Sequence, residues 1–223
     1  MPAHHQVPLP AGTFHRAALR FVGVAPVRID PVAAGGIAVV SGHIAHPFLP
    51  GLSPDCVRSK VCLYTQVEPG FIRVEADEVC YPAHVILRYR IERDLVEGRM
   101  AIEDIPSRWE ESMRHFLGLE VGEQHGKGCL QDIHWPEGLI GYFPSYTLGA
   151  MYAAQWFASI RSSNPDLDAQ IRQGQFASIH QWLRRNIWET GSLYSTEELA
   201  VRASGETLNP AHFKQHLTHR YLG

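Results

Sequence analysis

The placement of helix breakers and helix signals is what most limits the fold of this chain. Before Gln66, short apolar runs at residues 19–24 and 36–40 are interrupted by Pro26, Pro31, Pro47, Pro50 and Pro54. Proline removes a backbone donor and clashes with the preceding turn, so this stretch reads as short strands, turns or irregular chain. From Phe71 onward apolar residues recur at helical spacing and explicit start and stop signals appear. Ser107 and Glu110 have the spacing of a capping box, with Gly118 as the stop; Ser195 and Glu198 repeat it, with Gly205 closing. Asn209 before Pro210 supplies the cap and first-turn proline of a last helix. The expectation is a mainly α protein, with an irregular or short-strand arm over residues 1–66 and a helical part over residues 67–223.

A chain of 223 residues with 45% apolar content is long enough to bury a sizeable core. Its formal charge of -3 and the absence of a long Lys/Arg run argue against nucleic acid or an anionic membrane as partner. No apolar run approaches the roughly 20 residues that span a bilayer. Cys56, Cys62, Cys80 and Cys129 show no C-x-x-C spacing, and the opening MPAHHQVPLPAG lacks the charged head and apolar stretch of a secretory signal. Free thiols in a reducing cytoplasm are expected.

Two stretches concentrate chemistry. Over residues 72–97, at about 100° per residue, Ile72, Ala76, Val79, Ala83, Ile86 and Leu87 share one helical face, and Arg73, Asp77, His84 and Arg88 share a neighbouring arc. That spacing sets Asp77 one turn from Arg73, either as its ion-pair partner on a solvated face or as the group that orients it, and leaves Arg88 as further positive charge; Pro82 is expected to kink the helix. The second stretch, GCLQDIHWPEGLIGYFPSYTLGAMYAAQ at residues 128–155, packs Gln131, Asp132, His134, Trp135, Tyr142 and Tyr146 together before turning into a smooth apolar helix.

Other candidates carry less. His212, His216 and His219 share a face of the terminal helix, but Phe213 stands where a built-in base would be and Lys214 adds repulsive charge, so they read as an exposed polar face. His43 and His46 lie in a Gly/Pro-rich stretch with no assured helical geometry. Cys129 reads as a buried inert thiol, and Trp109, Trp156, Trp182 and Trp188 as packing residues. No G-x-S-x-G elbow, P-loop or dinucleotide fingerprint occurs.

FIRVEADEVCYPAHVILR at residues 71–88 and the stretch at 128–155 resemble two signature regions of the thermostable carboxypeptidase Taq family of zinc metallocarboxypeptidases. Ile72-Arg73-x-x-Ala76-Asp77 and Gly128-x-x-Gln131-Asp132-x-His134-Trp135 are complete. HPF at residues 46–48 and PDCVRSK at residues 54–60 resemble two more, in the family's order. In the latter, Arg58 is kept, but Cys56 replaces an expected Asp and Lys60 an expected Thr. The resemblance implies the C-terminal portion of a helical, zincin-like carboxypeptidase that releases C-terminal residues from peptides. It further implies substrate-binding remnants at Arg58, Arg73, Asp77, Gln131, Asp132, His134, Trp135, Tyr142 and Tyr146.

Zinc in that family is held by two His at i and i+4 with an intervening Glu as general base, and by an acidic ligand further on. By the family's order, these lie between the PDxVR and VEPGFIR regions. Here only residues 59–66 separate the two, and none of the 13 histidines begins His-Glu-x-x-His. The expectation is a truncated, internally deleted relative that is inactive alone, with no metal ligands, no catalytic residues and no cofactor of its own. Peptide C-termini would bind weakly. The alternative is a non-catalytic interaction protein that pairs with a full-length relative or another partner, or with a second copy of itself.

Overall fold

The computed structural model describes residues 65–222, and among them there are helices and turns but no strand. The expected arm over residues 1–66, with Arg58, His43, the HPF and PDCVRSK stretches, Cys56 and Cys62, lies outside the described residues except for its last two positions. The described chain forms two compact units, Gln66–Thr147 and residues 148–222.

The first unit is built on a helical hairpin. A 3-10 turn, Arg73–Glu75, leads to helix α1, Tyr81–Val96; a second turn, Ile102–Asp104, leads to helix α2, Ile105–Leu117. Spacings of three and four residues place Cys80, Ala83, Leu87 and Ile91 against Trp109, Met113 and Leu117, and Val121 and Cys129 close this core. Each large aliphatic side chain buried there contributes roughly 1.5–3 kcal/mol.

The continuous helix expected over residues 72–97 is not what forms. Asp77 Oδ1 accepts from the N–H groups of Val79 and Cys80, both at 2.9 Å, and its Oδ2 accepts from Glu68 N at 3.0 Å. An Asp that binds its own following backbone favours a turn over a helix. Pro82 then falls in the first turn of α1, where its missing N–H leaves nothing unpaired; it starts the helix rather than kinking it.

Helix α2 corrects a second expectation. It starts at Ile105 without a side-chain cap, and Ser107 Oγ donates to Asp104 O at 2.9 Å. Glu110 reaches the other way, accepting from Val121 N at 2.8 Å and Gly122 N at 3.2 Å, so no capping box forms. Gly118 does end the helix, at φ 71°, a conformation that only glycine adopts freely.

The remaining helices are α3 (Pro144–Ser163), α4 (Leu167–Arg172), α5 (Ala177–Asn186), α6 (Thr196–Ser204) and α7 (Pro210–Leu222). The second unit buries Ile160, Leu167, Ala200, Phe213 and Leu217. Fully buried Gln155 stitches the α6–α7 connection: its Nε2 donates to Ser204 Oγ at 2.7 Å and Thr207 O at 3.0 Å, and its Oε1 accepts from Asn209 N at 2.8 Å. The capping box at Ser195 and Glu198 forms as expected, Gly205 closes α6 at φ 84°, and Asn209 Oδ1 accepts from Ala211 N at the start of α7. Trp109 is buried and Trp156 packs on Tyr152, but Trp188 sits in a 3-10 turn at 57% exposure, its ring against His180, and is not a core residue. No described helix is long and apolar enough to cross a membrane.

Candidate functional site

The two chemical stretches meet in the first unit. Gln131 joins their backbones: its Oε1 accepts from Arg73 N at 2.8 Å, and its Nε2 donates to Phe71 O at 3.0 Å and to Lys127 O at 3.0 Å. The neighbouring Asp132 carboxylate is shared by two guanidiniums. Oδ1 accepts from Arg73 Nε at 3.0 Å and NH2 at 2.8 Å; Oδ2 accepts from Arg88 Nε at 2.6 Å, with Arg88 NH2 also at 2.6 Å. Arg73 pairs with Asp132, 59 residues away, and not with Asp77, whose carboxylate is taken by the backbone. The expected pairing required a continuous helix, and the chain leaves helical geometry at Ala76.

Arg88 is completely buried and Arg73 is 4% exposed. Arg88 NH1 donates to His84 O at 2.9 Å, and its guanidinium lies 4.4 Å from the Trp109 ring centroid, a cation–π contact. Arg73 NH1 donates to Tyr81 OH at 2.6 Å, and the guanidinium faces Tyr146 at 5.0 Å and Phe143 at 5.5 Å. Nε–H and one N–H on each terminal nitrogen of Arg73 are thus engaged, which leaves one N–H on each terminal nitrogen without a partner among the described residues.

His134 packs on Phe143 at 4.3 Å between ring centroids; its Nε2 is 2.8 Å from Tyr146 OH and its Nδ1 is 3.9 Å from Asp132 Oδ1. Trp135 Nε1 donates to Glu92 Oε1 at 2.9 Å, and Glu92 Oε2 accepts from Gly141 N at 3.1 Å, which pins the loop between them onto α1. Tyr142 is exposed, its ring 5.4 Å from that of Tyr146. The structure therefore gathers Arg73, Gln131, Asp132, His134 and Tyr146, sets Trp135 and Tyr142 around them, and gives Asp77 a turn-forming task instead.

The electrostatics follow from burial and sharing. Burial works against the Asp132 carboxylate, but the Arg73 hydrogen bonds and the Arg88 charge outweigh it and hold its pKa below the ordinary carboxylate value. Burial also opposes the charge on Arg73, yet Asp132 and Tyr81 raise its pKa. Arg88, deeper and beside Arg73, is brought down to about 10 by burial despite Asp132, so it remains charged at neutral pH. His84, buried beside Arg88, falls to about 4 and is neutral there. Two cations and one anion thus leave the cluster one net positive charge. Burial pushes the free thiols of Cys80 and Cys129 up, away from reactivity.

Sequence reasoning missed Tyr81, Phe143, Glu92 and the burial of Arg88. Part of this was readable: His84, Arg88 and Glu92 recur every four residues and form a buried polar stripe on α1. Tyr81 and Phe143 had no such signal, because turns separate them from their partners.

A family model described as Carboxypeptidase Taq (M32) metallopeptidase matches residues 46–221. Thermostable carboxypeptidase 1 of Pyrococcus furiosus is 36% identical over 176 residues, covering 79% of this chain and 34% of the relative. Carboxypeptidase 1 of Bacillus subtilis is 40% identical over 154 residues, covering 69% and 30%. Among solved structures, metallocarboxypeptidase 1 of Trypanosoma cruzi aligns with a TM-score of 0.73 at 37% identity, over 96% of this chain and 40% of that one. The chain belongs to the carboxypeptidase Taq (M32) metallopeptidase family. It spans about a third of the length of the curated relatives it matches.

A metallopeptidase family implies a metal, and the donors of the described cluster do not fit one. Among the described residues no three His, Cys, Asp or Glu side chains gather as a metal site, and Asp132, the carboxylate at the centre of the cluster, is taken up by two guanidiniums.

Proposed function

We propose that this chain carries the carboxylate-recognising region of the carboxypeptidase fold and does not hydrolyse peptides by itself. The observation that supports this is the Arg73–Asp132–Arg88 cluster: one surplus positive charge, and two N–H groups on Arg73 without a partner among the described residues, beside the half-buried rings of Tyr81 and Tyr146. A guanidinium fork matches the two oxygens of a peptide's C-terminal carboxylate better than any other side chain. Asp132 and Gln131 would hold Arg73 in place, His134 would hold Tyr146, and Tyr142 and Trp135 would line the approach. The buried free thiols of Cys80 and Cys129 suit a cytoplasmic setting.

Release of C-terminal residues from peptides is the activity to expect of the family by similarity. With no His-Glu-x-x-His in the chain, no zinc is expected to bind to it. Incubating purified chain with zinc and a panel of peptides should give no zinc-dependent release, whereas an N-acetylated dipeptide should bind weakly and Arg73→Ala should abolish that binding. Zinc-dependent release by the chain alone would overturn the non-catalytic reading; equal binding by Arg73→Ala would overturn the recognition reading.

A second reading, a non-catalytic interaction protein that pairs with a full-length relative or with itself, draws support from Val74, Leu130 and Ile133, apolar and each over 70% exposed in the first unit.

A further inference from the structure

The carboxylate-recognition reading gives the contact to Arg73, but Arg73 alone has no charge to offer, because Asp132 cancels it. The uncancelled charge sits one residue deeper. Arg88 is fully buried, ion-paired among the described residues only with Asp132, and closed off by the Trp109 ring and the His84 carbonyl. Glu92, one turn along α1, turns its carboxylate to Trp135 Nε1 and Gly141 N, and among the described residues it makes no ion pair with Arg88. Tyr146 OH and His134 Nε2 bond to each other, 2.8 Å apart.

We infer that Arg88 is a positioning residue for the carboxylate site: without touching the ligand, it supplies through Asp132 the surplus charge and the fixed carboxylate that make Arg73 a receptor for a peptide's C-terminus. Asp132 presents one oxygen to each guanidinium. Arg88 therefore does two things to Arg73. It holds the carboxylate rotamer that aligns the Arg73 fork, and it keeps the site at one net positive charge in surroundings where charge is poorly screened. Removing its charge leaves a neutral Arg73–Asp132 pair, already satisfied, with little reason to accept a second carboxylate.

This inference rests on the carboxylate-recognition reading, and charge restoration separates the two. Arg88→Gln keeps a donor for Asp132 but removes the charge; adding Asp132→Asn restores the net charge and retains an acceptor for Arg73. Binding of an N-acetylated dipeptide and of its C-terminal amide would be titrated by NMR, with the Arg73 Nε–H resonance as a marker of orientation. Arg88→Gln should weaken binding of the acid at least tenfold and leave the amide unaffected, and the double variant should recover most of the loss. Should Arg88→Gln fail to fold, Arg88→Lys, which keeps the charge beside Asp132 and loses only the fork, should still bind the acid and leave the Arg73 Nε–H resonance in place. Undiminished binding by Arg88→Gln, a folded double variant without recovery, or a folded Arg88→Lys that no longer binds the acid would each overturn the role of Arg88 while leaving Arg73 as receptor. A wild-type chain that binds neither acid nor amide would overturn both readings.

Discussion

His84 lies fully buried on α1 beside Arg88, approached by the Gly70 backbone, with neither ring nitrogen in hydrogen-bond geometry. Its pKa of about 4 in the folded protein, set by burial and by the Arg88 charge, is below the 6.5 of a free histidine. The unfolded chain thus binds a proton that the native state refuses, so stability is greatest above pH 6.5 and falls as pH drops towards 4. The loss over that window is about 3 kcal/mol at most. Asp132, with its lowered pKa, loses its own contribution only at still lower pH, as it protonates between its two arginines. Urea denaturation from pH 7 to 4 should show the decline, and His84→Leu, which leaves no ring nitrogen unpaired, should flatten it; an unchanged slope would assign the acid sensitivity elsewhere. At this scale, the closeness of Arg73, Gln131, Asp132, His134 and Tyr146 was legible in the two motifs. The Arg73–Asp132 pairing was not, because helical spacing pointed to Asp77 and nothing local marks a partner 59 residues on.

Elements were legible where the backbone signals had no competitor. Ser195 Oγ accepts from Glu198 N while the Glu198 carboxylate accepts from Ser195 N, and no neighbour draws Glu198 away. At Ser107 the same spacing fails, because Glu110 finds the N–H groups of Val121 and Gly122 beyond the far end of the helix, and Pro106 starts α2 earlier. Thermal or urea unfolding should therefore separate two similar substitutions. Ser195→Ala should cost about 1 kcal/mol, the usual value of an N-cap. Ser107→Ala should stay within about 0.5 kcal/mol, as a surface change away from any cap does. The α1–α2 hairpin is less forgiving: Leu87 and Met113 are completely buried in one core, and either one changed to Ala should cost about 2–5 kcal/mol. A smaller loss measured by chemical denaturation would mean that the hairpin can collapse into the space left behind.

For the whole molecule, the family could be read from the sequence because its motifs are long and complete, whereas the surface could not, since exposure depends on what packs above each residue. Val74 adjoins Arg73, and Leu130 and Ile133 flank Gln131-Asp132; the Arg73–Gln131 and Arg73–Asp132 hydrogen bonds therefore bring the three into one region. All three side chains are exposed, Leu130 and Ile133 at 72%. At roughly 25 cal/mol per Å² of apolar surface, burying such residues against a partner favours association, and a chain that leaves them open should find one. Size exclusion with light scattering should show the chain above its monomer mass at tens of micromolar. The combined change Leu130→Ser and Ile133→Ser should shift it towards monomer and lower dye binding. Because those side chains are exposed while the guanidiniums are buried, the same variant should still bind the acetylated dipeptide as the wild type does. A wild-type chain that stays monomeric and binds no dye would remove the pairing reading and leave carboxylate recognition to stand alone.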